Sequence, residues 1–390
     1  MKHIWTLCLG LLWIMPSWGQ QALWVNAGGN SNETQWQSVV LMDDGGSISA
    51  GYGESGNMTF SPLSLSVGGS DAVYLGRADA NGQYQWVSSI SVSSCERAVV
   101  AELSPASVIL AAKVTGSSFD LGNGVTGNFP PGVTSGIILA KYDRFTGDAQ
   151  WLELIPGAHQ LGDIATRNAK IYVTGEYRGS FSAGSLSLPT SPMALGSFLS
   201  NGFLVQYDST GTATWARHMA CQTSGTNFAF VRPREIAAGA LIYLAGQHQE
   251  QMQAGSFFLS QNSGSGNDSS DFFVFAYNYL GDVIWAKSSV GKSYQDVSGL
   301  DITSDGSLWL SGGLSSDFDF GGGTVQKQTG LNTFFASFLL MLDAQGNYLW
   351  NHSSNAEIYD VSTDEQGGLF AVGSWNQPDT TVNIGDSLYS

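Results

Sequence analysis

Phe338-Leu339-Leu340-Met341-Leu342-Asp343-Ala344-Gln345-Gly346-Asn347-Tyr348-Leu349-Trp350 is the stretch whose reading decides the fold. An apolar run of strand length meets an Asp. A Gly follows three residues later, and a Trp four residues after that. Asp and Gly tolerate left-handed backbone, so the middle reads as a tight turn between two strands. The same form occurs in four other places. These are Val73-Tyr74-Leu75 to Asp79, Gly82 and Trp86; Ile138-Leu139-Ala140 to Asp143, Gly147 and Trp151; Phe203-Leu204-Val205 to Asp208, Gly211 and Trp215; and Phe273-Val274-Phe275 to Asn278, Gly281 and Trp285. A further Trp, Trp24, has no strand before it. Successive Trp residues are 62, 65, 64, 70 and 65 residues apart. Self-similarity at a fixed period is the signature of a repeat architecture.

Two more motifs lie inside each period. One is a short apolar strand ending in Gly: Gly46 to Gly51, Lys170 to Gly175, Leu241 to Gly246, Ser307 to Gly312 and Gly368 to Gly373. The second repeat departs, with Ala112 in place of the Gly. The other is looser: Phe119-Asp120-Leu121-Gly122, Phe181-Ser182-Ala183-Gly184, Phe318-Asp319-Phe320-Gly321 and Val382-Asn383-Ile384-Gly385. Each repeat therefore carries four short strands, A to D, with tight A–B and C–D turns. The strands read as apolar runs, so both faces of each sheet need cover. Stacking four-stranded sheets around an axis supplies it. The expected fold is all-β, a β-propeller of four-stranded blades with about six repeats. Its units end at Trp86, Trp151, Trp215, Trp285 and Trp350, and residues 351–390 form an incomplete last unit. Trp24 and these five Trp residues are expected to be structural, packed between neighbouring blades.

Composition agrees. Apolar residues make up 43% of the 390, charged residues 12%, and glycines number 49. The formal net charge of −17 suits a solvated acidic surface and argues against nucleic acid, whose phosphates need Lys and Arg. Lys2 and His3, the apolar run Ile4–Met15, Pro16 and Ser17-Trp18-Gly19 read as a signal peptide of residues 1–19. The run is too short to span a bilayer, and no other stretch could. Residues 20–390 are then an exported repeat domain, secreted or on the cell surface. Cys95 and Cys221 fall two repeats apart, so no disulfide is expected. The scattered His and Cys give no metal-ligand spacing.

Gly281-Asp282-Val283-Ile284-Trp285-Ala286-Lys287, the run Ile302 to Gly312 (Ile-Thr-Ser-Asp-Gly-Ser-Leu-Trp-Leu-Ser-Gly) and Asp319-Phe320-Gly321-Gly322-Gly323-Thr324 carry a resemblance to a known family. They resemble the seven-bladed β-propeller (SBBP) repeats of bacterial secreted and cell-surface proteins. The resemblance covers nearly all of the chain after the signal peptide. It implies fold and location, and no catalytic residue.

At the ends, Trp24 lacks a strand C, and the last repeat has strands A and B and then the Val382–Gly385 motif. Either the chain is a fragment, which is preferred, or its sixth blade is irregular. The long B–C connections are candidate functional loops. The D–A connections lead into the innermost strand. Counting back sixteen residues from the end of each strand B gives Gln35, Glu96, His159, Phe230, Asp296 and Glu357. Of these, Glu96, His159, Asp296 and Glu357 are candidates for holding a polar ligand or a cation at a channel mouth.

No nucleophile elbow, zinc helix, phosphate loop or EF-hand is present. Tyr142 to Trp151 is similar to the Trp-docking repeat of quinoprotein dehydrogenases, but only this copy has its Thr-Gly form. The expectation is a non-enzymatic scaffold or binding propeller without a cofactor, whose partner is an extracellular protein or glycan. The alternatives are a carbohydrate-binding propeller using Trp36, Tyr294 and Trp375, and an enzyme, quinoprotein-like or a lyase or hydrolase, on the loop face.

Overall fold

The computed structural model describes residues 28–29, 34–191, 198–222, 228–261, 269–327, 336–354, 356–364 and 368–374, and every regular element among them is a strand. Trp24, Trp375, the leader and the Val382–Gly385 motif lie outside the described residues. The chain divides into two compact units, one ending at His218 and the other running from Met219 through the sixth repeat.

In the second repeat, strands A (Ser94–Ser104), B (Ser107–Thr115), C (Ser135–Asp143) and D (Ala149–Pro156) pair in order as an antiparallel sheet. The fifth repeat does the same with Gly299–Ile302, Leu308–Leu314, Ala336–Leu342 and Tyr348–Ser354. The first repeat follows with Thr34–Leu41, Ser47–Phe60, Leu63–Ala78 and Tyr84–Val92, its B and C strands prolonged into one long hairpin. In the sixth, Glu357–Thr363 and Leu369–Ser374 pair only with each other.

The C–D turn shows why Asp, Gly and Trp recur. Asp343 Oδ1 accepts the backbone N–H groups of Gln345 and Asn347, and Gly346 donates to the Asp343 carbonyl. Asp79, Asp208 and Asn278 do the same in their turns. Gly346 sits at φ 76°, Gly147 at 74° and Gly211 at 86°, a region that favours glycine. The Trp then reaches the turn of the next repeat. Trp86 Nε1 donates to the Arg144 carbonyl at 3.0 Å, Trp151 to Ser209 at 3.1 Å, and Trp285 to Ala344 at 3.1 Å. A Cβ on Gly147 would stand 2.6 Å from the Trp86 ring, and one on Gly346 would stand 2.8 Å from the Trp285 ring. Gly147, Gly211 and Gly346 are thus the floor on which the preceding Trp lies.

The glycine ending strand B has a different cause. A Cβ there would meet a strand A carbonyl oxygen: Gln35 at 2.2 Å from Gly51, Gln160 at 2.2 Å from Gly175, Arg232 at 2.3 Å from Gly246, Asp296 at 1.9 Å from Gly312 and Glu357 at 1.9 Å from Gly373. Strand A bulges beside that glycine, between Trp36 and Ser38 in the first repeat and between Pro233 and Glu235 in the fourth. In the second repeat the shift falls between Cys95 and Arg97, beyond the Ala98–Ala112 pair, and an alanine fits.

Apolar cores join successive repeats. Ile48, Leu75 and Trp86 of the first pack with Val100, Leu110 and Ile138 of the second. Ile109 and Leu139 of the second pack with Val173 and Val205 of the third. In the other unit, Val274 and Phe272 meet Leu310 and Phe338, and Trp309 and Leu339 meet Val361. One ion cluster reinforces such a seam: Arg144, 2% exposed, holds Asp43, Asp44 at 3.2 Å and Glu102 at 3.4 Å.

The B–C connections are not free loops. Each carries a small hairpin: Ser118–Asp120 with Thr126–Asn128, Phe181–Ala183 with Leu186–Leu188, Gln251–Ala254 with Phe257–Leu259, and Phe318–Asp319 with Thr324–Val325. Phe119, Phe181 and Phe318 are buried in them. The hairpin in the fourth repeat pairs with the third repeat's strand D, Ala220 to Gln253 and Cys221 to Met252. The fifth pairs Asp319 with Val290, just after the fourth repeat's strand D. These arms cover strand edges that would otherwise stay open.

Candidate functional site

Charged side chains collect where strand A begins and strand B ends. In the first unit, Lys113 lies on strand B of the second repeat, 3% exposed, and its ammonium hydrogen-bonds the Ser135 hydroxyl. Burial pushes its pKa down, and the nearby Glu96 carboxylate opposes that push. Glu176 ends strand B of the third repeat, with its side chain fully buried. His159 Nε2 stands 3.8 Å from its Oε1, and Arg178 Nη2 stands 3.4 Å from the same atom. A buried carboxylate needs such partners. Burial lowers the His159 pKa, Glu176 pulls it up, and Arg178 and Lys113 push it down. His159 and Arg178 remain partly exposed, at 39% and 30% of their side chains. They can offer donors to a ligand while Glu176 orients them from beneath.

Two of the four sequence candidates, Glu96 and His159, therefore share one electrostatic cluster with Lys113, Glu176 and Arg178. In the other unit, Asp296 is consumed by its own strand. Oδ1 accepts the Gly313 N–H at 2.6 Å and Oδ2 accepts the Tyr294 hydroxyl at 2.7 Å. Gln247 donates to that same hydroxyl at 2.9 Å. Burial, with the adjacent Asp296 carboxylate, pushes the Tyr294 phenol up to about 12. Glu357 accepts from Tyr359 at 2.8 Å and from Ser374, and no contact among the described residues joins it to Asp296. Counting back from strand B finds the carbonyl facing the glycine at Gln35, Asp296 and Glu357. It misplaces two: Gln160 stands there rather than His159, and Arg232 rather than Phe230. The bulges differ in length, with a second register shift between Leu161 and Ile164 in the third repeat.

Trp36 and Tyr294, two of the three aromatic residues expected to stack on sugars, are otherwise engaged. Trp36 stacks on Tyr84 and meets Phe60 edge-on, and the Tyr294 hydroxyl is bound as described. Among the described residues no group of three His, Cys, Asp or Glu side chains could hold a metal.

Sequence reasoning missed His248 and Ser288, 40 residues apart. His248 is fully buried, with Nδ1 2.9 Å from the Glu250 carbonyl and Nε2 2.9 Å from Ser288 Oγ. A carbonyl can only accept, so Nδ1 carries the proton and Nε2 accepts from the serine. The geometry is that of a nucleophile and its base. Burial, however, pulls the histidine down to about 4. Such an imidazole is a poor proton acceptor at neutral pH. The pair instead ties strand B of the fourth repeat to its strand D.

No family model matches the chain, and no curated protein matches it. Among solved structures it is similar to cobalt-substituted Synechocystis ACO, at 13% identity and a TM-score of 0.34 over 85% of this chain. The match spans 61% of that chain's length. The expectation that the protein is not an enzyme is not kept. At that TM-score the likeness transfers no residue, metal or reaction. No helix among the described residues is long and apolar enough to cross a membrane.

Proposed function

We propose that the repeats are blades of a β-propeller, and that the chain is an exported binding protein taking a polar, anionic ligand at the strand-entry end of the blades. Support for the blades comes from the four-stranded A-B-C-D sheets and the cores shared by successive repeats. The SBBP-like motifs and the leader-like start agree with it. One observation carries the ligand reading: Glu176, wholly buried, flanked by His159 and Arg178 that reach solvent. A chain of net charge −17 has few cations, and it places Lys113, Arg178 and His159 together here. The turn end is closed by Trp and Gly. A carboxylate-bearing sugar fits the entry end, because Arg178 and His159 can donate to the acid and to hydroxyls. A glycan array with neutral and uronic-acid-containing members tests this. Binding should favour the acidic glycans and fall at least tenfold in Arg178→Ala, an effect on the order of 1.4 kcal/mol. Equal binding of neutral glycans, or binding unchanged in that variant, would contradict it. Radial blades in electron micrographs test the fold.

A further inference from the structure

We infer that Ser135 and Lys113 form a serine–lysine dyad that cleaves an acyl ester, with Ser135 as the nucleophile and Lys113 as its base. Both lie in the second repeat, on the paired strands B and C. Lys113 is opposite Ile137, and Ser135 stands two residues before Ile137, so the two side chains share a face. That face also carries Ile109, Ala111 and Leu139, which pack with the third repeat. A lysine in such company is costly to bury. Its hydrogen-bond partner among the described residues is the Ser135 hydroxyl, and no carboxylate among them forms an ion pair with it. Ser135 is partly exposed, so a substrate can reach it, while Lys113 is buried beneath.

The fold does not require this pair. Ala112 opposite Ile138 corresponds to Gly175 opposite Phe203 and to Gly246 opposite Phe273. The places of Lys113 and Ser135 are therefore held by Glu176 and Ser200 in the third repeat, and by Gln247 and Ser270 in the fourth. Neither of those pairs is hydrogen-bonded. The Ser200 hydroxyl has no partner among the described residues, and Ser270 donates to the Gln295 carbonyl. Burial also acts differently on Lys113 and on His248. It favours the uncharged form of both. The imidazole thereby loses the basicity it needs near neutral pH. The amine, ordinarily protonated, gains the neutral form that accepts a proton from a serine.

In the reaction, the Ser135 oxygen attacks the ester carbonyl carbon, and its proton passes to the Lys113 amine. The bond from that carbon to the alcohol oxygen breaks, and Lys113 returns the proton to the leaving alcohol. Water then attacks the acyl-serine and gives its proton to Lys113. The acyl–serine bond breaks, the proton returns to Ser135, and the free acid leaves. Lys113 shares its electrostatic cluster with His159 and Arg178. The substrate is therefore an O-acylated acidic glycan, a clause that rests on the ligand reading above, as the dyad does not.

The full-length protein, treated with an alkyl fluorophosphonate, should gain an adduct that peptide mass spectrometry maps to Ser135. It should also hydrolyse p-nitrophenyl acetate above the buffer rate. Neither reagent carries a carboxylate, so both test the dyad apart from the ligand reading. Lys113→Arg keeps a cation and a donor but cannot take the proton, so both rates should fall on the order of a hundredfold with an unchanged circular dichroism spectrum. Lys113→Met should give the same loss. No adduct at Ser135 on the unmodified protein, or an adduct formed as fast in Lys113→Arg, would overturn the dyad. Acetate release from an O-acetylated polyuronate tests the substrate clause. Its absence, with the Ser135 adduct and p-nitrophenyl acetate hydrolysis intact, would overturn that clause and leave the dyad standing.

Discussion

The two ends of each strand pair obey different rules. At the C–D turns, Asp, Gly and Trp recur with fixed spacing, since each is required by a backbone bond or a ring contact. Asp343 takes two N–H groups, and Gly346 both turns the chain and supports Trp285. At the strand-entry end, only the strand B glycine is required, by a crowding carbonyl. The residues around it are Gln35, Gln160, Arg232, Asp296 and Glu357, with nothing in common. The difference teaches where this chain is free to vary. The turn end fastens repeats to one another, and the entry end can carry chemistry.

The largest expected effect lies at the fastening end. Trp86→Ala or Trp285→Ala removes a large ring and its hydrogen bond to the next turn, and should cost about 3–5 kcal/mol in chemical unfolding. A loss below about 1 kcal/mol, the size of an ordinary surface change, would break the comparison. Acid comes next. His248 is held neutral in the fold and titrates near its ordinary 6.5 when unfolded. The unfolded chain therefore binds the proton first. Stability should be full above pH 6.5 and fall as pH drops toward 4, by about 3 kcal/mol over the window. His248→Gln should flatten that slope. A slope that persists would assign acid sensitivity to other groups.

A smaller effect is expected at the turn glycine. Gly147→Ala places a side chain at φ 74° and against the Trp86 ring, and should cost about 1–3 kcal/mol. The same change combined with Trp86→Ala should cost less than the sum, because the ring it strikes is gone. Additive losses would mean that the glycine serves only the turn.

The turn end was legible in the sequence because its requirements are local. Five residues from Asp343 to Asn347 contain the reason for the Asp and the turn, and the Trp recurs because it meets the same turn one repeat on. The strand B glycine was legible as a pattern, but its cause, a bulge in strand A, comes from a residue about sixteen positions earlier. That bulge varies in length, which is why Gln160 and Arg232 were missed. The Phe318 motif read as part of a variable loop, because the edge its hairpin covers, at Val290, lies at the end of the preceding repeat. The candidate site was legible only in part. Glu96 and His159 could be placed near one another by counting. Glu176 and Arg178 hide behind an ordinary strand B, and the Ser288 partner of His248 is distant in sequence.

Unfolding by urea, with Trp285→Ala and His159→Gln measured side by side, tests this division most directly. His159 is partly exposed and 3.8 Å from Glu176, so its exchange for glutamine should shift stability by no more than about 1 kcal/mol. Trp285→Ala should lose several times as much at an unchanged denaturant slope. Comparable losses, or a larger loss from His159→Gln, would contradict a fold fastened at its turns and left open at its strand entries.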